Sequence, residues 1–174
     1  MCIRDSDYIG WLAAQDDDSA LASWVDHLAP LRGPVMLAEG RGAQPNSVPR
    51  RTRVQLNRSD TTRLTSWART QGLTVNTVVQ YAWAVVLGRL TDRRDVVFGT
   101  TISGRPDSLP GVEGMIGLFI NTVPAVVVFE PGTSVAESLA ALQRDSARMR
   151  DLGYLGLSAV QRAAGHGSLF DTLF

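Results

Sequence analysis

Apolar residues recur along this chain with two spacings, one typical of helices and one typical of strands. Spacings of three and four residues predict helices at approximately 17–28, 60–71, 74–90, 135–149 and 158–164. Runs rich in β-branched residues predict strands at 96–102 and 116–129, and alternating polar and apolar residues predict a half-buried or edge strand at 51–56. Because helices alternate with long apolar strands, the pattern predicts an α/β fold.

The helix predicted at 74–90 has a wide apolar face, which we expect to be deeply buried. Its members are Val75, Val78, Val79, Ala82, Val85, Val86 and Leu90. Two further helix starts are predicted from residue pairs three positions apart. Ser134 and Glu137 have the spacing of a capping box, and Ser158 and Gln161 form a similar pair.

The loops and the chain ends indicate a piece of a larger protein. Residues 33–50 are rich in Gly, Pro, Ser and Asn without a period, so we expect a surface loop there. The closing "SLFDTLF" is typical of a strand that has just begun, and an apolar terminal strand needs a partner. The opening "MCIRDS" leads into the middle of a helix or loop. We therefore expect a fragment, incomplete at both ends.

Composition excludes several classes of function. The 174 residues carry 17 basic and 17 acidic side chains, so charge gives no reason to expect nucleic acid or an anionic membrane as partner. A single cysteine gives neither a disulfide framework nor a thiolate metal site. With no secretory signal and no apolar run of the roughly 18 to 20 residues that span a bilayer, a cytoplasmic protein is expected.

Residues for independent catalysis are scarce. There are two histidines, His27 and His166, and neither has a nucleophile or an acid beside it in a known catalytic arrangement. The chain contains no G-x-S-x-G elbow, H-E-x-x-H pair or P-loop. The acidic run Asp16–Asp18 is typical of a solvated helix start, so we expect no metal site.

Two stretches offer directed polar groups. In "TTISGRP", Arg105 follows a buried strand, where it either ties down the next loop or anchors a ligand carbonyl or carboxylate. In "GMIGLFINTVP", Asn121 lies within an apolar strand, where an unpaired buried amide costs roughly 1 to 3 kcal/mol. That amide either bonds neighbouring backbone where the ladder breaks before Pro124, or faces a cavity and orients a polar substrate.

Several motifs in order resemble the C-terminal half of a condensation domain of nonribosomal peptide synthetases. "DYIGWL" is similar to that family's Asp-Tyr-x-x-Trp element, and "AWAVVLGRLT" and "DVVFGTTISGR" resemble its helix and following strand. "IGLFINTVP" resembles its Ile/Val-Gly-x-Phe-hydrophobic-Asn-Thr pattern, and "LGLSAVQRAAG" and "LFDTLF" follow the same course. The resemblance covers residues 7–174. Residues 1–6 depart from the family's pattern, and we expect them not to be native.

The resemblance implies a chloramphenicol-acetyltransferase-like lobe, with a mixed sheet flanked by helices, as one part of a V-shaped pseudodimer. Residues 1–174 would then be a partial condensation domain, namely its C-terminal lobe. In that family an acceptor amine attacks a donor thioester in a tunnel between the lobes. Both substrates are presented on phosphopantetheine arms of carrier proteins, so no directly bound cofactor is implied. The implied partners are the N-terminal lobe, upstream and downstream carrier proteins, and an adenylation domain.

The resemblance also carries over to single residues. It implies a substrate-tunnel position for Asn121, Thr122, Phe119 and Ser103. It implies structural positions at the same site for a second set, Gly104, Arg105 and Gly117. The family's His-His-x-x-x-Asp-Gly motif is absent, because His27 precedes Leu28 and His166 precedes Gly167. No catalytic residue is therefore assigned here, and we expect the isolated chain to be inactive.

Two alternatives remain open at this stage. One is an epimerization domain, a cyclization domain or another acyltransferase of the same superfamily. The other is a non-catalytic lobe that only docks carrier proteins.

Overall fold

The computed structural model describes residues 5–38, 48 and 50–174. The six helices described there are α1 (Asp5–Ala13), α2 (Asp17–Leu28), α3 (Arg58–Thr70), α4 (Val75–Thr91), α5 (Val135–Asp151) and α6 (Leu157–Ala163). The two strands are β1 (Asp95–Ser103) and β2 (Ile120–Val128), and a 3₁₀ turn spans Val112–Gly114. None of the helices in this part of the chain is long and apolar enough to cross a bilayer.

The strands β1 and β2 pair antiparallel along their whole length, from Asp95 opposite Val128 to Ser103 opposite Ile120. The ladder does not break at Pro124, which lies opposite Gly99. Gly99 instead bonds the C-terminal segment on its other edge, donating to the carbonyl of Thr172 at 2.9 Å. Because Gly99 directs its hydrogen bonds to the C-terminal segment, the Gly99–Pro124 pair needs no N–H from β2. Proline has no backbone N–H, so β2 continues through Pro124 without interruption.

The last residues of the chain lie along the free edge of β1 and pair with it through an isolated bridge. Gly99 and Leu173 make a parallel bridge, and the amide of Phe174 donates to the carbonyl of Gly99 at 2.8 Å. Parallel pairing on one edge of β1 and antiparallel pairing on the other make the sheet mixed. The segment "SLFDTLF", predicted as the beginning of a strand, therefore makes isolated bridges with Val35 and Gly99.

The hydrophobic core lies between this sheet and helices α2, α4, α5 and α6. Its largest fully buried side chains include Trp24, Phe98, Leu87 and Met149. Helix α3 packs through a smaller cluster against α4 and α5, in which Ala68 and Leu139 are each 1% exposed. The sheet and helices α2 to α6 therefore belong to one connected set of layers.

The prediction that the valine-rich face of α4 is deeply buried is wrong. Val79, Val86 and Leu90 are 45%, 44% and 64% exposed. The buried side of α4 instead carries Thr77, Gln80, Ala84, Leu87 and Gly88. Both sides of this helix are apolar enough to be buried, and the inner Thr77 and Gln80 find hydrogen-bond partners there.

The predicted strand at 51–56 is also wrong, since residues 51–57 are exposed and have no regular structure. No described strand lies beside them, and a strand forms only where a neighbour completes its hydrogen bonds. The prediction of a surface loop at 33–50 fails at Val35, which is 1% exposed and bridges Phe170. Positions 39–47 and 49 of that loop, and 1–4 of the segment expected to be non-native, lie outside the described residues.

Helix starts follow the sequence closely where a side chain caps them. Ser134 and Glu137 form the predicted capping box, with the Glu137 amide bonded to Ser134 Oγ at 3.2 Å. The predicted Ser158 cap is wrong, because α6 starts after Gly156, which has no capping side chain.

Candidate functional site

The loop between β1 and β2, residues 104–119, is closed at its base by one backbone bond. The amide of Gly104 donates to the carbonyl of Phe119 at 2.7 Å. A Cβ at position 104 would collide with that same carbonyl oxygen, so the close approach requires glycine. The two ends of the loop are therefore held together directly beyond the last sheet pair.

Arg105 ties the same loop down from inside. Its Nη1 donates to the carbonyl of Val112 at 2.8 Å, and its guanidinium carbon lies 4.0 Å from the centre of the Phe119 ring. A cation over an aromatic face contributes roughly 0.5 to 1 kcal/mol at a partly exposed site. Gly117 lies beside the same ring, with the site of a Cβ 3.1 Å from Phe119. This geometry is that of the loop anchor, one of the two roles left open for Arg105.

Four aromatic side chains connect this loop to α1 and to the turn between α5 and α6. We call Tyr8, Trp11, Phe119 and Tyr154 the aromatic array. Tyr8 meets the Phe119 ring edge-on at 4.9 Å between centroids and stacks on Trp11 at 5.9 Å. Trp11 in turn meets Tyr154 edge-on at 5.6 Å. The segment "DYIGWL" thus packs against "IGLFINT", although over a hundred positions separate them in the sequence.

Within the described part of the chain, the side-chain amide of Asn121 bonds only backbone groups. Its Nδ2 donates to the carbonyls of Gly153 and Leu155, at 2.7 and 2.9 Å. Its Oδ1 accepts from the amide of Thr122 at 2.8 Å. Both N–H groups are occupied and one oxygen lone pair remains, so the turn at 152–156 is fixed to the first residues of β2. Substrate contact by Asn121 stays a prediction.

Asn121 and Thr122 point to opposite faces of the sheet, as neighbouring strand residues do. The methyl of Thr122 lies 2.9 Å from the site of a Cβ on Gly99. Asn121 lies opposite Ile102, whose side chain leaves no room for a Cβ on Gly153. Asn121 and Thr122 therefore contact different parts of the protein, on opposite faces of the sheet.

A cavity of about 670 Å³ lies between α4, α5 and the sheet. Ser103 and Arg105 are among its lining residues, whereas Phe119, Gly117, Asn121 and Thr122 are not. A second cavity of about 310 Å³ adjoins it, lined by Ser103, Gly104, Arg105 and Trp11 among others. Of the residues predicted for the site, Ser103 and Arg105 border both spaces.

The floor of the larger cavity contains polar groups that sequence reasoning missed. Gln80 Nε2 donates to Thr100 Oγ1 at 2.8 Å, and both residues are buried. Nearby, Thr77 Oγ1 donates to Gln143 Oε1 at 3.1 Å. Thr77 and Gln80 are visible in the sequence of the helix predicted at 74–90. The prediction for that helix considered its apolar positions alone.

Electrostatic features lie at the rims of this region. Burial lowers the pKa of His27, which lines the larger cavity, while the nearby Asp145 carboxylate opposes that shift. The lowered pKa favours the neutral form of the imidazole. Among the described residues, no group of three His, Cys, Asp or Glu side chains is placed to hold a metal ion.

Asp95, at the start of β1, is buried and would resist ionisation, yet its pKa is lowered. The hydrogen bond from Arg93 and the backbone N–H of Arg32, at 2.8 Å, outweigh the effect of burial. Arg93 also donates to the carbonyls of Gly33 and Pro34, at 3.0 and 2.6 Å. This ionic cluster attaches the segment after α2 to the sheet, away from the cavity.

Comparisons with known proteins bear on the whole chain. The Condensation domain family model matches residues 6–174. Bacitracin synthase 1 of Bacillus licheniformis is 36% identical over 89% of this chain, which spans only 3% of that synthase. The first condensation domain of the CDA synthetase gives a TM-score of 0.73 at 22% identity, over 94% of this chain and 36% of that one.

A further solved structure is the X-domain from teicoplanin biosynthesis, in complex with OxyB. It gives a TM-score of 0.69 at 24% identity, over 88% of this chain and 34% of that one. At such identities these structures establish the fold alone. They confirm the α/β class and the lobe fold predicted from the sequence, and the family match confirms the resemblance. The chain belongs to the condensation-domain family of nonribosomal peptide synthetases.

Proposed function

We propose that residues 6–174 form part of a domain that joins two carrier-bound thioesters through an amide bond. The amine of the acceptor aminoacyl thioester attacks the donor carbonyl carbon. A C–N bond forms, the C–S bond breaks, and the donor phosphopantetheine thiol leaves with the proton lost by the amine. The observation that carries this proposal is the family match over nearly the whole chain.

The geometry suggests a division of labour. In this proposal the chain supplies the acceptor-side wall of the tunnel, with Ser103 and Arg105 at the cavity border. Phe119 supports Arg105 from below, and Asn121 holds the adjoining turn in place. The acid/base group comes from the His-His-x-x-x-Asp-Gly motif of the other lobe, because neither His27 nor His166 lies in such a motif. In this proposal, this chain supplies the tunnel wall and the other lobe supplies the group that transfers the proton.

The test compares the isolated chain with the synthetase module that carries it. Donor and acceptor carrier proteins are loaded, and the intact mass of each is followed with time. We expect transfer of the donor acyl group to the acceptor carrier by the module, and none by the 174 residues alone. A module that transfers nothing would contradict the proposed function, and transfer by the isolated chain would contradict the assignment of proton transfer to the other lobe.

The same assay separates the related activities. A cyclization domain would remove a further water from the condensed product. An epimerization domain would leave the mass unchanged in ordinary water and introduce deuterium at the α-carbon in heavy water. The first result would add cyclodehydration to amide formation, and the second would replace amide formation with epimerization.

A docking role is the second candidate, favoured by the similarity to an X-domain solved with OxyB. In that case the module would bind a partner protein and transfer no acyl group under any loading. Binding of loaded carrier proteins without transfer, measured by calorimetry, would support docking over catalysis.

A further inference from the structure

The loop at 104–119 is gripped from outside by α1 as well as from inside by Arg105. Trp11 Nε1 donates to Ser108 Oγ at 3.0 Å, which fixes the outgoing part of the loop. The aromatic array fixes the returning part, since Tyr8 packs on Phe119 and stacks on Trp11. One helix therefore contacts both ends of a loop that lies far from it in the sequence.

The contacts of α1 with the loop are supported by the turn between α5 and α6. Trp11 packs edge-on against Tyr154, and the Tyr154 hydroxyl donates to the carbonyl of Asp16 at 3.4 Å. Tyr154 belongs to the turn that Asn121 binds through Gly153 and Leu155. Movement of α1 is therefore coupled to the turn, to β2 and to the loop.

The gripped loop forms one end of the larger cavity. Its residues Arg105, Asp107 and Glu113 line that space, while Val112 and Met115 are 4% and 3% exposed and anchor the loop in the protein. A shift of the loop would therefore displace two acidic groups and one basic group at the cavity border. The position of these charges depends on what holds the loop.

We propose that Trp11 is a positioning residue that clamps the 104–119 loop and so fixes the charged border of the cavity. Its indole N–H holds Ser108, and its ring holds Tyr8 against Phe119. The consequence for catalysis rests on the proposed function, because only an amide-forming domain would use this border to receive the acceptor. The clamp itself is a property of the 174-residue chain.

Amide hydrogen exchange tests the clamp directly. The amides of Leu109, Val112 and Met115 carry backbone bonds inside the loop, so their exchange reports its opening. Trp11→Phe keeps a ring and removes the N–H donor, and Ser108→Ala removes the acceptor. We expect each variant to speed exchange at these amides about fivefold, the effect of losing one net hydrogen bond.

The double variant should exchange no faster than either single one, because both remove the same bond. Amides of β1 should keep their wild-type rates. Trp67→Phe, on the exposed side of α3, is the matched control and should change nothing. Unchanged loop exchange in both single variants, or equal acceleration throughout β1, would overturn the clamp.

Activity in the module separates this inference from the proposed function. We expect Trp11→Phe and Ser108→Ala to raise KM for the loaded acceptor carrier about fivefold while KM for the donor carrier stays constant. An active wild-type module whose KM values are unaffected by either variant would contradict the positioning role. An inactive wild-type module would contradict the proposed function, and the exchange result would then decide the clamp by itself.

Discussion

Replacing Asn121 distinguishes a structural amide from one that serves only a substrate. Asn121→Ala removes three hydrogen bonds, to the carbonyls of Gly153 and Leu155 and from the amide of Thr122. Asn121→Asp keeps the shape and the acceptor, yet it loses both donors. It also places a carboxylate against two carbonyl oxygens.

The expected loss follows from counting these bonds. A typical hydrogen bond contributes about 1 kcal/mol net, and Asn121 is half-buried, so Asn121→Ala should lower the free energy of unfolding by about 2 to 3 kcal/mol. For a chain of 174 residues this corresponds to a fall in Tm of roughly 4 to 12 °C. Asn121→Asp should be at least as damaging at pH 7. Its folded-state pKa should be raised by the carbonyls, so its deficit relative to the Ala variant should shrink as the pH falls.

Urea unfolding of the isolated chain, followed by circular dichroism, measures these differences. Asn76→Asp is a matched control, because Asn76 is exposed in the first turn of α4, and we expect a change within about 0.5 kcal/mol. If both Asn121 variants unfold like the wild type, the amide does not hold the turn. A stable Asn121→Ala module with full condensation activity would in addition rule out the predicted substrate role.

Three further predictions concern stability, each measured by urea unfolding of the chain. Gly99→Ala should cost about 1 to 3 kcal/mol because a methyl would overlap the C-terminal segment, whereas Gly10→Ala, with open space around it in a helix, should be neutral or stabilising. Asp95→Asn should lower the free energy of unfolding by about 3 kcal/mol at pH 7. Because the pKa of Asp95 is lowered in the folded chain, its contribution to the free energy of unfolding is full above the ordinary value of 3.8. That contribution is lost as the pH falls through the folded-state pKa, and the Asn variant should show no such loss. Leu87→Ala should cost about 2 to 5 kcal/mol and Val86→Ala about 0.5, and equal losses would contradict the assigned faces of α4.

Local signals in the sequence predicted much of the fold. The capping box at Ser134 is decided by residues close together in the sequence, and the structure agrees with it. The β-branched run predicted as a strand at 96–102 also forms β1, where it has a partner strand. The segment at 51–56 alternates polar and apolar residues, a pattern that is also typical of a strand, and forms no strand. A strand depends on a neighbour that its own residues do not specify.

The buried face of α4 shows why periodicity alone misled. Apolar residues occupy both sides of the helix, and the side richer in valine is the more exposed one. The inner side tolerates Gln80 and Thr77 because Thr100 and Gln143 satisfy their polar atoms. Those partners lie on other elements, so counting apolar positions cannot identify the inner face.

The candidate site was only partly predictable for the same reason. Resemblance selected "IGLFINT", but nothing local indicates that Trp11 reaches Ser108, 97 positions away. Asn121 shows the physical basis most clearly. An amide is the side chain that can donate twice and accept once from a single position, and the turn at Gly153 presents two carbonyls to the start of β2. A serine or an aspartate could not satisfy both carbonyls. The sequence requirement for asparagine therefore follows from the backbone it holds, and that requirement would persist even in a tunnel wall that never touches substrate.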